Sequence, residues 1–346
     1  SSTMILARPL RVGIAGYGVV GQRRRRFIDA HEHLQTVAVS DIKLNDNGRI
    51  DGAVTYSDPL NILDEDLDIL FVSLPNYLAP DVTIAGLKRG FHVFCEKPPG
   101  RTVEDVEDVL KIAQGSPHLK LKFGFNHRYH ESYKEALKLI NSGKLGSVIN
   151  LRGAYGKSKI ISFDSDWRTK RDQAGGGILL DQGIHMLDMI RTISGSFNEV
   201  FSVISNDYWR HDVEDNAYAL MKTKTGVVAT IHSSATQWRH TFRLEIGLTD
   251  GLIVLRGILS GSQSYGDEEI IIYEKTSNDV LEKRTFEYTQ DNSWRDEIDE
   301  FYSAVTQDKK IVIGSVEEAL ATMKLVYQIY SADQNWAAKF DLQNPN

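Results

Sequence analysis

Gly16-Tyr17-Gly18-Val19-Val20-Gly21 follows the apolar run Val12 to Ala15, opens a helix-like stretch reaching Ala30, and is answered by an acid, Asp41, twenty residues after the last glycine. This spacing predicts a strand, a tight turn and a helix. Gly16 permits the turn, Gly18 lets backbone approach a pyrophosphate, and Gly21 lets helix and strand pack closely. The helix N-terminus attracts phosphate. Tyr17, Val19 and Val20 complete the loop and first helical turn, and Asp41, ending the run Val37 to Ser40, is placed to accept hydrogen bonds from a ribose. The stretch therefore reads as a dinucleotide-binding unit, and a carboxylate at Asp41 favours NAD because it would repel a 2'-phosphate. Lys43 close by keeps NADP open.

A chain of 346 residues is long enough for two domains with substantial cores. Its 40 Lys and Arg against 47 Asp and Glu give a formal charge of -7, which excludes a general attraction to nucleic acid or anionic lipid. The single cysteine, Cys95, excludes an intramolecular disulfide framework and a thiolate metal cluster, suits a cytoplasmic location, and reads as a buried structural thiol. No apolar run approaches the ~20 residues of a membrane helix, and the N-terminus lacks an apolar signal core. Ser1-Ser2-Thr3 ahead of Met4 reads as a cloning remnant.

From Arg11 to about Asn126, short apolar runs alternate with amphipathic stretches, the pattern of a parallel sheet covered by helices. Strands are expected at Val12 to Ala15, Thr36 to Asp41, Ala53 to Tyr56, Asp68 to Ser73, His92 to Cys95 and Leu121 to Phe125. Helices are expected near Val19 to His31, Ala79 to Arg89 and Val103 to Gln114. The result is a six-stranded doubly wound sheet over residues 1–126. Residues 127–346 read as a second, α+β domain, in which alternating segments such as Ala217 to Met221, Val227 to His232, Phe242 to Ile246 and Glu269 to Tyr273 predict an open, mostly antiparallel sheet. Helices near Tyr133 to Asn141, Trp294 to Val305 and Val316 to Tyr330 and a strand at Val148 to Ala154 accompany it.

Two constellations carry chemistry. Glu96-Lys97-Pro98 stands just past the fifth strand, at the carboxyl edge of the sheet where open α/β folds bind ligands. There Lys97 can hydrogen-bond a substrate hydroxyl and stabilise charge developing on it; the alternative is a surface lysine in a loop. The stretch Gly175-Gly176-Gly177 through Asp188, read as a helix, puts Asp181, His185 and Asp188 on one face amid apolar neighbours. A histidine there can take a proton from an alcohol near neutral pH, with a carboxylate one turn away to orient it; the alternative is a histidine satisfied by a helix neighbour. A metal reading of Asp181 and His185 lacks third and fourth ligands, since His127 and His130 read as ordinary helix-entry residues, so no metal is expected.

Together, the glycine fingerprint, Ser40-Asp41, Pro75-Asn76, Glu96-Lys97-Pro98, Asn126-His127-Arg128, Trp167-Arg168 and Gly175 to Asp188 resemble the Gfo/Idh/MocA family of glucose-fructose oxidoreductase and inositol dehydrogenase. The resemblance spans nearly the whole chain. It implies a Rossmann domain followed by an α/β domain whose open sheet mediates dimers or tetramers. It also implies that Lys97 contacts substrate and nicotinamide ribose, that His185 is the acid/base, that Asp181 binds the reacting sugar, and that Pro75, Asn76 and Glu96 lie at the cofactor. Asn126, Arg128, Trp167 and Arg168 are carried over as substrate residues. One departure stands out: where many members place a histidine three residues after the Pro-Asn pair, this chain has Ala79.

Two charged stretches complete the reading. Arg23 to Arg26 point about 100° apart in turn along a helix and are expected to be mostly solvated, with one reaching a cofactor phosphate. Arg152 to Arg171 carries Arg152, Lys157, Lys159, Arg168, Lys170 and Arg171 against Asp164 and Asp166; it reads either as a recognition loop for an anionic substrate or as a solvated loop. Trp238 and Arg239 read as stacking on a sugar ring, as a subunit contact or as packing, the commoner role of an aromatic on a sheet face, and are left out of the site. The expectation is an NAD(P)-dependent oxidoreductase interconverting an alcohol and a ketone on a sugar, cyclitol or sugar nucleotide, acting as a homodimer or homotetramer. A glycoside-cleaving relative and a non-catalytic cofactor sensor are the alternatives.

Overall fold

The computed structural model describes residues 8–160, 167–261 and 264–346. Ser1 to Met4, Asp164 and Asp166 lie outside them. The chain forms two compact units, one of residues through Gly100, Glu104–Gly124 and Trp294–Ala319, the other of Arg101–Val103, Phe125–Ser293 and Leu320–Asn346.

In the first unit β1 (Leu10–Ala15), α1 (Val19–Ala30), β2 (Leu34–Ser40), β3 (Arg49–Ile50), β4 (Ala53–Tyr56), β5 (Ile69–Val72), α2 (Ala79–Lys88), β6 (His92–Cys95), α3 (Val103–Gln114) and β7 (Leu121–Phe123) build one sheet with its helices. The strand order is β3-β4-β2-β1-β5-β6-β7, and every pair is parallel except β3 with β4. The sheet has seven strands rather than the expected six. Asp51 and Gly52 both take positive φ, the requirement of a two-residue I′ hairpin, and fold the two residues of β3 back onto β4. So short an edge carries no apolar period to read.

In the second unit come α4 (Glu131–Ser142), β8 (Val148–Gly156), α5 (Arg171–Ala174), a π-helical turn (Leu179–Gly183) running into α6 (Ile184–Ser194), and β9 (Glu199–Ser205), β10 (Asn216–Lys222), β11 (Val228–Ser234), β12 (Thr241–Leu248), β13 (Gly251–Arg256), β14 (Glu268–Lys275) and β15 (Leu281–Tyr288). The eight strands run β15-β14-β13-β12-β8-β11-β10-β9, antiparallel except for β8 beside β11. Alternate residues of β10, β11 and β12 are buried, and α6 lies on that side, with Met186 against Gly153 of β8. The other side of β9 and β10 presents Phe201, Val203, Tyr218 and Leu220 to solvent.

The chain ends in α7 (Ser293–Gln307), α8 (Val316–Ala332) and α9 (Gln334–Phe340). Here the expected division at residue 126 needs correction, because the stretch from Trp294 to Ala319 returns to the first unit. Ile298 and Phe301 of α7 join Val12, Ile14, Phe71 and Phe94 in its core, where the Phe301 ring meets those of Phe71 and Phe94 edge-on. An amphipathic helix buries its apolar stripe wherever a complementary face exists, and sequence distance does not enter.

Candidate active site

In the first unit the glycine loop has the geometry its residues require. Gly16 sits at φ +96, where a side chain is strained, and a Cβ on it would run into the Ser73 carbonyl; a Cβ on Gly21 would run into the carbonyl of Gly16. Around Gly18, in contrast, nothing lies within 4 Å of where a Cβ would be. That open backbone beside the α1 N-terminus, whose first turn carries no acid, fits a pyrophosphate. Val19 is exposed at the same turn. Asp41 accepts from the Tyr17 amide at 3.1 Å and the Lys43 amide at 3.0 Å, one per carboxylate oxygen, so each oxygen keeps capacity for a ribose hydroxyl. At the end of β5, the Pro75 carbonyl accepts from the Leu78 and Ala79 amides and Asn76 is buried. Ala79, at the departure from the family pattern, is the buried first residue of α2.

The arginine run behaves otherwise than expected. Arg23 is half-buried and Arg26 exposed, but Arg24 and Arg25 are buried. Arg24 ion-pairs with Glu96 and, at 2.6 Å, with Glu297 of α7, and its guanidinium lies 4.4 Å from the Phe94 ring centre and 4.0 Å from that of Trp294. Burial works against this cation, and the two carboxylates more than offset it, so its pKa is raised. Arg25 is taken up by Asp29, the Tyr17 hydroxyl and the carbonyls of Ile50 and Asp51. Desolvation is the reason the sequence misleads: a guanidinium can be taken from water where carboxylates and ring faces replace it. Glu96, carried over as a cofactor residue, thus has its carboxylate on Arg24. Lys97 follows it, half-buried, at the carboxyl end of β6. Cys95 is buried as read, and burial pushes its thiol up to about 12.

In the second unit the expected single helix is broken in pitch. The π turn at Leu179–Gly183 holds an extra residue. It leaves Asp181 partly exposed while His185 and Asp188, on α6, are buried. A buried acid sets the turn: Glu214 accepts from the Gly177 amide at 2.7 Å and the Leu179 amide at 3.0 Å and from the Tyr330 hydroxyl, and a side chain on Gly177 would strike the Glu214 backbone. Burial raises the Glu214 pKa. Asp181 is held between two cations, Lys157 Nζ at 3.5 Å and Arg168 Nε at 3.2 Å, and Arg168 lies 4.6 Å over the Trp167 ring. Beside it Gln182 donates to the Tyr265 hydroxyl at 2.5 Å, and burial pushes that phenol up to about 12.

His127 is not an ordinary helix-entry residue. Its ring lies 3.7 Å from that of His185 with 10° between planes, and its nitrogens meet Asn126 Oδ1 at 3.2 Å and the Tyr155 hydroxyl at 2.9 Å. His130 is bound to Glu268 at 2.7 Å. Of the carried-over substrate residues, Trp167 and Arg168 gather at Asp181, Asn126 is tied to His127, and Arg128 is buried 3.6 Å from Asp188. The basic loop is largely answered, Arg152 by Glu245, Lys157 and Arg168 by Asp181, and Arg171 by Asp212. Tyr155, Tyr265 and Glu214 escaped sequence reasoning, since nothing local sets them apart from other strand or loop residues. Among the described residues no group of three or more His, Cys, Asp or Glu is placed to hold a metal ion.

Comparison with known proteins bears on this arrangement. Residues 10–122 match the family model described as oxidoreductase family, NAD-binding Rossmann fold, and residues 133–254 match the GFO/IDH/MocA C-terminal domain. The chain belongs to the Gfo/Idh/MocA family. Among family members it is 28% identical over 201 residues to the 1,5-anhydro-D-fructose reductase of Ensifer adhaerens, covering 57% of this chain and 59% of that one, and so spans under two thirds of that reductase. With the D-glucoside 3-dehydrogenase of Escherichia coli it shares 25% identity over 94% of this chain and 95% of the other. A levoglucosan dehydrogenase solved in complex with NADH has the same fold, with a TM-score of 0.82 over 95% of this chain and 98% of that one at 19% identity. Among the described residues no helix is long and apolar enough to cross a membrane.

Proposed function

We propose that this chain is an NAD-dependent oxidoreductase that interconverts a secondary alcohol and a ketone on a sugar or cyclitol, with His185 as acid/base and Lys97 and Asp181 as its partners in catalysis. The observation that carries the reading is the open backbone at Gly18 with Asp41 poised on Tyr17, joined in one chain to a buried histidine following a carboxylate held by Lys157 and Arg168. Relatives that act on anhydrofructose and glucosides, and a fold relative that holds NADH, support a sugar-type substrate and this cofactor.

The bound nicotinamide supplies a hydride acceptor or donor. The chain's own residues do the rest. Gly16 to Gly21 hold the pyrophosphate, with Pro75 and Asn76 flanking the cofactor, and Asp41 takes the adenosine ribose and disfavours a 2'-phosphate. His185 removes the hydroxyl proton in the oxidative direction, Lys97 steadies the oxygen as it gains charge, and Asp181 accepts a hydrogen bond from a neighbouring hydroxyl. Because four of the six cations from Arg152 to Arg171 already face carboxylates or carbonyls, a neutral polyol is favoured over an anionic sugar. The exposed apolar residues Phe201, Val203, Tyr218 and Leu220 support self-association through a second copy of this sheet. Assay of NADH absorbance with NAD and NADP against myo-inositol, levoglucosan, methyl β-D-glucoside and UDP-glucose tests the reading. Turnover abolished in Lys97→Ala and His185→Ala with NAD binding preserved is the expected result, and undiminished turnover overturns it.

A further inference from the structure

We propose that His127 is a positioning residue that holds the His185 imidazole by its face, and that a one-way chain of hydrogen bonds ending on Asp291 locks His127 as the neutral Nδ1–H tautomer. The role rests on the reading of His185 as acid/base; the tautomer does not. Every link lies in the second unit. The Ser293 hydroxyl is 2.6 Å from Asp291 Oδ1 and must donate, since a carboxylate only accepts. Its oxygen is then left to accept from Asn126 Nδ2 at 3.2 Å. That contact fixes the amide, so the atom facing His127 Nδ1 at 3.2 Å is Asn126 Oδ1, an acceptor. The His127 proton therefore sits on Nδ1. Nε2 is left as a lone pair that accepts from the Tyr155 hydroxyl at 2.9 Å, and burial raises the Tyr155 pKa and keeps the phenol protonated. Such assignments follow from the hydrogen-bond network, and this network favours the neutral Nδ1–H form. A second proton on His127 would turn Nε2 into a donor and force the phenol to reverse.

The face of this ring lies 3.7 Å from His185 at 10°, and Phe125 meets His185 edge-on at 6.4 Å. A neutral aromatic face attracts the imidazolium that forms when His185 takes a proton, whereas a charged ring would repel it. The other charged groups around the pair are His130, whose ring is 5.4 Å from His127 and which is engaged by Glu268 and Asp291; Asp181 with Lys157 and Arg168; and Arg128 with Asp188. Arg128 is matched by Asp188, and Lys157 and Arg168 share the single carboxylate of Asp181. His127 is the ring in face contact with His185, so its own protonation state sets the charge against that face.

The test uses the full chain labelled with 15N-histidine, with long-range proton–nitrogen spectra assigned through His127→Phe and His185→Gln. A His127 that keeps a protonated Nδ1 and a bare Nε2 from about pH 6 to about pH 8 is expected; titration in that window, or the Nε2–H form, overturns the inference. On whichever polyol of the panel is turned over, His127→Ala should lower kcat about 10- to 100-fold with KM within about threefold, and His127→Phe, which restores a flat face, should recover most of that loss. Equal kcat in the Ala, Phe and native proteins overturns the positioning role. Should the Ala variant not fold, His127→Leu supplies the comparison without a ring. Undiminished turnover in His185→Gln overturns the acid/base reading and the role with it, while a titrating His127 beside an inactive His185→Gln overturns this inference alone.

Discussion

The two charged clusters of this molecule use the same chemistry in opposite ways. Arg24 and Glu297 are wholly withdrawn from water, with the arginine sandwiched by Phe94 and Trp294. Asp181 faces Lys157 and Arg168, whose side chains remain 23% and 37% exposed. A guanidinium out of water cannot lose a partner cheaply, because the remaining charges stay buried. A half-open trio is screened, weak in stability, and able to exchange a protein partner for a ligand hydroxyl. The first cluster thus fastens α1, the turn after β6 and α7 within the cofactor unit, and the second is free to serve binding.

The sharpest test is Arg24→Met, expected to cost about 3–5 kcal/mol of stability by leaving two carboxylates unneutralised. A urea midpoint equal to that of the native protein would break the comparison. Next comes Asp181→Asn. It should lower kcat/KM about 100-fold, the scale of a lost acid–base or positioning contact, while its thermal midpoint stays near native; a large loss of stability with normal kcat would reverse the roles assigned to the two clusters. Asp41→Asn, which removes the charge facing a 2'-phosphate, should shift the NAD to NADP preference about tenfold toward NADP, as read by the two Michaelis constants.

Glu268 asks whether burial, and not membership of one unit, decides the cost. Burial acts against its carboxylate, but the hydrogen bond and field of His130, with the Ser132 and Leu259 amides, leave its pKa below the usual carboxylate range. A depressed folded value means stability that is complete above about 4.5, the ordinary value, and is lost as the pH falls through the folded one. Glu268→Gln should therefore be less stable near neutrality and show a shallower acid loss below that pH; an unchanged acid limb would remove the pair from the comparison. Smallest of all, Lys157→Gln should change stability by less than about 1 kcal/mol, as exposed ion pairs do.

Much of this was open to reading in the residues. The strands Ala53–Tyr56 and His92–Cys95 and the helix Val103–Gln114 fall where periodicity puts them, because each is set by its own apolar pattern. β15 was invisible, since nearly all its residues are exposed and no buried face marks it. The same division runs through the site. Gly16, Gly18 and Gly21 need only their immediate neighbours to be understood. Arg24 was misjudged because Glu297 lies 273 residues away, and His127 because its meaning depends on His185, Tyr155 and, through Asn126 and Ser293, Asp291.

By itself, then, the sequence determined a dinucleotide turn, a family and a short set of chemically apt residues, since a glycine fingerprint and a helical or strand period are local properties of the chain. Only the tertiary structure decided which charges leave water, which way the Asn126 amide faces, and that a π turn parts Asp181 from the buried side of α6. Those outcomes depend on partners brought together by burial, and desolvation gives a side chain its role only once its neighbours are in place.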